Sequence, residues 1–378
     1  MTINFQFELE SLGERYKNKP NKKLLGGKDV WIFGAGQFGQ DLSVALKSEG
    51  HCVAGFVESK PACKQVQGLS VLNWLEWSPE HSSAPLCIGI FNRNMPLDEL
   101  EILAKKNGAH DLYFPWDLYP SFEIQMGWRF WLSKPELIMS HLDDLAKVMS
   151  LLSDDFSKKC LVDIATFRLG LNTSYASFSH TENQYFNHLT LKSLKNNPAC
   201  YVDGGAYTGD TFLELCKLVD VQKSYLFEPD PNNFEKLVLN TIKSYQSVLC
   251  LPIGLSDRYE ILSFSAGRGE GASIQETGTA HIAVASLDTL ITGQEKVDFI
   301  KLDVEGAEKK ALDGAKQLII RSRPVLAISL YHQPQDLWEL PLFLSTICEN
   351  YKFYIRQHYA NSFDSVLYAV PKEPIQSI

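Results

Sequence analysis

The sequence predicts an α/β protein built from two doubly wound, mostly parallel sheets with a helical stretch between them. Two strand, glycine-loop and helix beginnings stand in separate halves of the chain, at Val30–Gly39 and at Cys200–Phe212. Strand-length apolar runs alternate with helical patterns after each of them. The stretch between changes to helical spacing. The expected boundaries are 1–125 for a smaller N-terminal domain, 126–197 for a helical connector or lid, and 198–378 for the larger C-terminal domain.

A chain of 378 residues is long enough for two domains with ordinary cores. Its 45% apolar and 21% charged residues are those of a soluble globular protein. A net charge of -9 leaves no electrostatic footprint for nucleic acid or an anionic membrane. The longest apolar runs, such as Pro324–Leu330, are strand-sized, and the first residues lack a basic segment followed by an apolar one. Neither a membrane span nor a signal peptide is expected. Eight cysteines are scattered with no C-x-x-C and no Cys/His cluster. They read as reduced core residues, which points to the cytoplasm.

In the N-terminal domain, Val30-Trp-Ile-Phe-Gly-Ala-Gly-Gln-Phe-Gly39 is followed by a helical pattern over Gln40–Ser48 and a strand over Val53–Val57 ending at Glu58. Gly34, Gly36 and Gly39 have the G-x-G-x-x-G spacing in the required strand-to-helix setting, and Glu58 stands where a ribose carboxylate would. They form a candidate nucleotide site. A fold retained for packing or assembly explains the same residues equally well. Strands at Gly68–Val71 and Leu86–Ile90 and a helix over Leu97–Asn107 complete this Rossmann-like domain. In the connector, apolar residues at Leu137, Ile138, Leu142, Leu145, Val148 and Met149 predict one amphipathic helix over Glu136–Leu152. The polar and aromatic Thr181–His188 can cover a cleft.

Seven main strands are predicted in the C-terminal domain: Ala199–Asp203, Lys223–Glu228, Ser247–Pro252, Val297–Asp303, Pro324–Tyr331, Lys352–Gln357 and Ser365–Val370. Helices separate the first five. Only His358–Asp364 joins the last two, so the final strand should run antiparallel in an otherwise parallel sheet. An extra hairpin is expected from Glu260–Ser265 and His281–Ala285.

The first strand of this domain delivers Asp203 to a loop in which Gly204, Gly205 and Gly209 permit a tight turn and close ligand approach. Glu228 ends the next strand, where a carboxylate can accept from both hydroxyls of a ribose. Asp203 and Asp210 bracket the glycines and would repel a phosphate. S-adenosylmethionine has a sulfonium, an ammonium and no phosphate, so it suits the loop.

Six motifs in one order carry a resemblance. Asp203-Gly-Gly-Ala-Tyr-Thr-Gly-Asp-Thr211, Phe227-Glu-Pro229, Gly254-Leu-Ser-Asp257, Ser286-Leu-Asp-Thr-Leu290, Ile300-Lys-Leu-Asp-Val-Glu-Gly-Ala-Glu308 and Tyr331-His332 together resemble the FkbM family of S-adenosylmethionine-dependent methyltransferases. The resemblance covers roughly Gln184–Val370 and implies the class I methyltransferase fold. The N-terminal half is more loosely similar to a small Rossmann-like domain that precedes some sugar O-acyltransferases and some FkbM-type enzymes. The resemblance implies a cofactor site of Asp203, Gly204, Gly205, Ala206, Gly209, Asp210, Thr211, Glu228 and Pro229, with Asp203 near the methionine ammonium and Glu228 on the ribose. Ser256 and Asp257 would hold adenine, although Ser-Asp also reads as a plain turn.

Asp303 and Glu305 lie at the carboxyl end of the fourth strand, the edge beyond which open parallel sheets bind ligands, so both are expected to face the reacting methyl as catalytic residues, with Asp303 also in the cofactor site. Glu308, three residues on, reads as a complement to a helix dipole. His332 caps the fifth strand on the same edge, where a neutral imidazole is the expected base for a hydroxyl acceptor and Glu305 its rival. Asp303, Glu305 and His332 have a ligand mix suited to Mg or Mn, but adjacent acids after a strand are common and no metal is assigned. Tyr185, Phe186, His188 and Tyr331 are the candidate acceptor-binding residues.

The expected activity is methyl transfer from S-adenosylmethionine to a hydroxyl of a small molecule, a sugar or a saccharide precursor of a surface polysaccharide or secondary metabolite. A homo-oligomer is left open. The alternatives are an NAD(P)-dependent oxidoreductase using the N-terminal glycines, and a non-catalytic nucleotide- or sugar-binding scaffold. Neither a catalytic partner set near the N-terminal glycines nor a decayed C-terminal pocket is visible.

Overall fold

In the computed structural model, residues 4–20, 22, 24, 28–174, 181–194, 199–242, 247–264, 280–293 and 295–372 are described. The chain forms two units. One comprises Met1–Ala146, Lys158–His180 and Tyr359–Asp364, and the other Lys147–Ser157, Thr181–His358 and Ser365–Ile378. The stretch expected as a connector is therefore shared between them.

The first unit is organised by β1 (Asp29–Phe33), β2 (Cys52–Val57), β3 (Gln65–Val66), β4 (Leu69–Leu72), β5 (Leu86–Ile88) and β6 (Leu112–Tyr113). Their order is β3-β4-β2-β1-β5-β6, parallel throughout except for the β3–β4 pair. The run Val30–Phe33 is buried without alternation, as a parallel strand covered on both faces requires. The helix Gln37–Ser48 buries Leu42, Ala45 and Leu46 against it. Phe5–Lys17, capped by the Asn4 side chain, is a further helix of this unit.

Tyr359–Asp364, expected only as a hairpin link, is built into this first unit. The Asn361 side-chain carbonyl accepts from Leu97 N at 2.9 Å, and its amide donates to Asn92 O and Met95 O at 2.7 Å each. Ser362 Oγ accepts from Arg168 Nε at 2.9 Å, and Asp364 pairs with Arg93 at 3.2 Å. The single helix expected over Glu136–Leu152 is two, Pro135–Ser140 and Leu142–Leu151. His141 ends the first with a non-helical φ of -116° while its N–H still reaches Ile138 O.

The second unit holds β7 (Ala199–Gly204), β8 (Val221–Phe227), β9 (Val248–Leu251), β10 (Gly254–Leu255), β11 (Glu260–Phe264), β12 (Ala280–Ala285), β13 (Phe299–Leu302), β14 (Val325–Ser329), β15 (Tyr351–Gln357) and β16 (Ser365–Pro371). The main sheet has the order β15-β16-β14-β13-β7-β8-β9. Its five central and β9-side strands are parallel, while β16 runs antiparallel to both β14 and β15, as the short link requires. The crossover helices Asp210–Leu218 and Pro231–Thr241 supply the right connection length for parallel neighbours. Asp230 caps the second of these by accepting from Asn232 N and Asn233 N. Tyr201, Phe212, Phe299 and Phe186 pack as one aromatic cluster beneath β7 and β13. The expected hairpin is present as β11 against β12, and β10 adds a third, parallel strand to it. Residues 265–279, which include Ser265 of the expected hairpin, lie outside the described residues.

Candidate active site

The order of the main sheet places β7 between β8 and β13, so the loops after these three strands meet at one edge. The loop after β7 is forced to be glycine-rich by contact. Gly205 has φ +78°, and a Cβ there would lie 1.9 Å from the carbonyl oxygen of Asp303, so the first loop lies directly against the end of β13. Gly209, at φ +85°, opens the helix Asp210–Leu218, and a Cβ there would lie 2.8 Å from Thr241. Ala206 is buried and its N–H donates to Phe227 O. Asp210 and Thr211 occupy the first turn of the helix.

Asp203 does not face outward from this loop. It is fully buried, accepting from Lys301 Nζ at 2.8 Å and from Tyr201 Oη at 2.9 Å. Lys301 also donates to Gly205 O at 2.8 Å, so the ion pair ties the loop to β13. Burial works against the lysine charge, but Asp203 and Asp303 outweigh it and hold Lys301 above its ordinary range. The expected contact of Asp203 with a ligand ammonium is thus not available to its carboxylate as placed. Asp203 shapes the loop from behind.

Glu228 follows β8 and is 6% exposed. Its Oε2 accepts from Tyr207 N at 2.9 Å and its Oε1 from Asp230 N at 2.8 Å. Burial pushes its carboxyl up to about 7, against the pull of these two backbone donors. Pro229 follows, and Gly254 of β10 approaches it, an added Cβ falling 3.8 Å from the proline ring. This brings the segment carrying Ser256 and Asp257 to the same corner. Ser256 is buried with its Oγ donating to Asp257 at 3.1 Å, and its carbonyl lies against Gly314, where a Cβ would come within 2.1 Å.

Beyond β13, Asp303 gathers hydroxyls. Tyr185 Oη donates to Oδ2 at 3.0 Å, and Ser329 Oγ and Tyr331 Oη donate to Oδ1 at 2.8 and 3.2 Å. Burial raises the Asp303 carboxyl, but Lys301, His332 and these donors prevail and leave it below the usual carboxylate range. His332 is fully buried, with Nδ1 2.7 Å from Glu308 Oε1 and Nε2 3.5 Å from both Asp303 Oδ1 and Glu305 Oε2. Burial disfavours its charge, yet Glu308, Glu305 and Asp303 together push the imidazole up to about 10. The surrounding carboxylates favour its charged form. Three carboxylates around the ring, Glu308 among them, weigh against the neutral form expected of a base at this position.

Glu308 does more than complement a helix dipole. Fully buried, it accepts from Val304 N at 2.8 Å and Gly306 N at 3.0 Å while holding His332. Those bonds support the turn in which Glu305 adopts φ +53°, a conformation uncommon outside glycine.

Of the expected acceptor-binding residues, Tyr185 and Tyr331 join the Asp303 cluster. Phe186 instead packs on Tyr201 and Phe299 in the core, and His188 is an exposed partner of Glu182 at 2.7 Å. In the first unit, Gly34 has φ +109°, and a Cβ on Gly39 would lie 2.0 Å from Gly34 O, so this pair serves close helix-to-strand packing. A Cβ on Gly36 would meet nothing within 4 Å. Glu58 Oε1 accepts from Ala35 N at 3.0 Å, using one N–H of that loop internally. Lys301, Tyr201 and Ser329 carry no expected role in the sequence. A lysine between Ile300 and Leu302 in a fully buried strand was the available signal, since such a charge needs a buried partner.

This strand order, with a glycine loop after β7 and acids closing β8 and β13, defines a Rossmann-like methyltransferase fold. Residues 203–355 match the methyltransferase FkbM domain model, so this segment is similar to the methyltransferase domain of that family. Among solved structures, it is similar to methyltransferase FkbM from Methylobacillus flagellatus KT, with a TM-score of 0.75 and 18% identity over 97% of this chain and 99% of that one. At that identity the likeness is one of fold. An rRNA methylase from Streptococcus thermophilus aligns with a TM-score of 0.31 and 11% identity, covering 48% of this chain and 92% of its own. None of the curated proteins matches the chain. Among the described residues, no helix is long and apolar enough to cross a membrane.

Proposed function

We propose that this protein transfers the methyl group of S-adenosylmethionine to a hydroxyl, on a sugar or saccharide precursor. The observation that carries the reading is the convergence of three strand ends. Tyr207 of the glycine loop donates to Glu228, and Gly205 of the same loop rests on Asp303. Glu228 offers an acceptor for a ribose diol, and Ser256 and Asp257 stand at the adjoining corner for a base. The acids at Asp210, Glu228 and Asp303 disfavour a phosphate and suit a cationic ligand.

Bound there, S-adenosylmethionine supplies an electrophilic methyl, so that one C–O bond forms, one C–S bond breaks and the acceptor hydroxyl gives up its proton. Asp303 and Glu305 are the proton-accepting and orienting candidates, since the carboxylates around His332 favour its protonated form. Tyr185 and Tyr331 orient Asp303. Orientation of this kind can supply roughly 7–11 kcal/mol of a bimolecular barrier. The cytoplasm is the compartment this reading suits.

The test is calorimetric titration of the whole protein with S-adenosylhomocysteine, followed by transfer of labelled methyl from S-adenosylmethionine to a panel of saccharides. Binding that is lost in Glu228→Ala, with label recovered as a methyl ether, supports the proposal. Absence of binding removes it.

A further inference from the structure

We propose that the Tyr207 ring forms the wall against the sulfonium of S-adenosylmethionine and so favours the charged methyl donor over the neutral product. The inference rests on the proposed reading of the glycine loop as a cofactor site. Gly205, Tyr207 and Gly209 of that loop all have positive φ, at +78°, +49° and +85°. For the two glycines this conformation carries no steric cost. The third residue is a tyrosine, whose bulky side chain is strained there. Strain of this kind persists only where the surroundings enforce it, and it collects at ligand sites.

The backbone around Tyr207 is fixed from both sides. Gly205 N and Ala206 N donate to Phe227 O at 3.0 and 2.9 Å, Gly209 N donates to Ala206 O at 2.8 Å, and Tyr207 N donates to Glu228 Oε2 at 2.9 Å. These bonds hold the loop without help from the tyrosine side chain. Core packing does not account for the ring either, because Ala206 and Phe212 belong to the apolar core of this unit, whereas Tyr207 stands outside it and is 37% exposed. Its place on the edge says which part of the ligand it meets. Tyr207 N touches the carboxylate that would take the ribose, and Gly205, two residues back, lies against the carbonyl of Asp303 on the reacting side. The sulfonium is the part of the ligand between ribose and methyl. An aromatic ring attracts a cation through the negative face of its π-system and offers no such attraction to a neutral thioether.

The experiment is calorimetric titration of the full-length protein with S-adenosylhomocysteine and with sinefungin, which carries an ammonium in place of the methylsulfonium. Wild type, Tyr207→Phe and Tyr207→Gly are compared. Glycine suits a positive φ and keeps the N–H that Glu228 accepts, so this variant removes the ring and leaves the loop. The preference for sinefungin over S-adenosylhomocysteine should fall about fivefold or more in Tyr207→Gly and be kept in Tyr207→Phe. A loss shared equally by both ligands, or an unchanged preference in Tyr207→Gly, overturns the role of the ring. Should the glycine variant misfold, Tyr207→Leu takes its place with the same expectation. Failure of the wild type to bind either ligand would sink the cofactor reading as well, whereas binding of both with a preference indifferent to Tyr207 sinks only the role of the ring and leaves the methyltransferase reading standing.

Discussion

On the proposed reading, Glu228 should make binding of the adenosyl ligand depend on pH near neutrality. Its carboxyl is pushed up to about 7 by burial, with Asp230 adding to the shift and the N–H groups of Tyr207 and Asp230 and the Lys301 charge opposing it. On that reading a ribose diol donates to this group and so requires the carboxylate. Below pH 7 the ligand must expel a proton. A group with a pKa near 7 is about one-tenth ionised at pH 6 and about nine-tenths at pH 8, so affinity should rise about tenfold over that span, ~1.4 kcal/mol. Calorimetry with S-adenosylhomocysteine from pH 6 to 8, repeated in buffers of different ionisation enthalpy, measures both the affinity and the protons released. About half a proton should leave per ligand at pH 7. In Glu228→Gln the profile should flatten, with the wild type approaching the variant at low pH. A wild-type affinity that is level across this range, with no proton release, would refute the reasoning.

The same shift has a sign in the unliganded protein. A carboxyl whose folded pKa exceeds its unfolded value contributes stability below about 4.5 that is lost as pH rises through about 7, so the melting temperature of the wild type relative to Glu228→Gln should fall between pH 5 and 8. Lys301→Met leaves Asp203 buried without its ion-pair partner and should cost about 3–5 kcal/mol in denaturant unfolding, with Asp203→Asn restoring part of the loss in the double variant. Gly205→Ala forces a side chain into φ +78° against the Asp303 carbonyl. It should abolish S-adenosylhomocysteine binding in the same calorimeter, and retained binding would show that the loop is not at the ligand. Nitrogen NMR of metal-free protein should find the His332 ring protonated throughout pH 6–8, and a titration midpoint near 6.5 would remove the three-carboxylate account.

Local pattern was enough for much of the architecture. Unbroken apolar runs at Val30–Phe33 and Tyr201–Val202 announce strands buried on both faces, and helices between them impose parallel neighbours. The short link before Ser365 announces the antiparallel β16. Glycines 205 and 209 and the acids at 228 and 303 were legible because turns and strand ends have residue preferences that operate over a few positions. Partnership operates over a hundred. Lys301 meets Asp203, Tyr185 meets Asp303, and His332 meets Glu308 only because β13 lies between β7 and β14. Those meetings bury Asp203 against Lys301 and surround His332 with carboxylates that favour its charged form. They also placed Tyr359–Asp364 in the first unit through Asn361. Hydrophobic periodicity specifies which residues go inside, but the charge state of a buried group is set by what packs against it, and that is decided only by the tertiary structure.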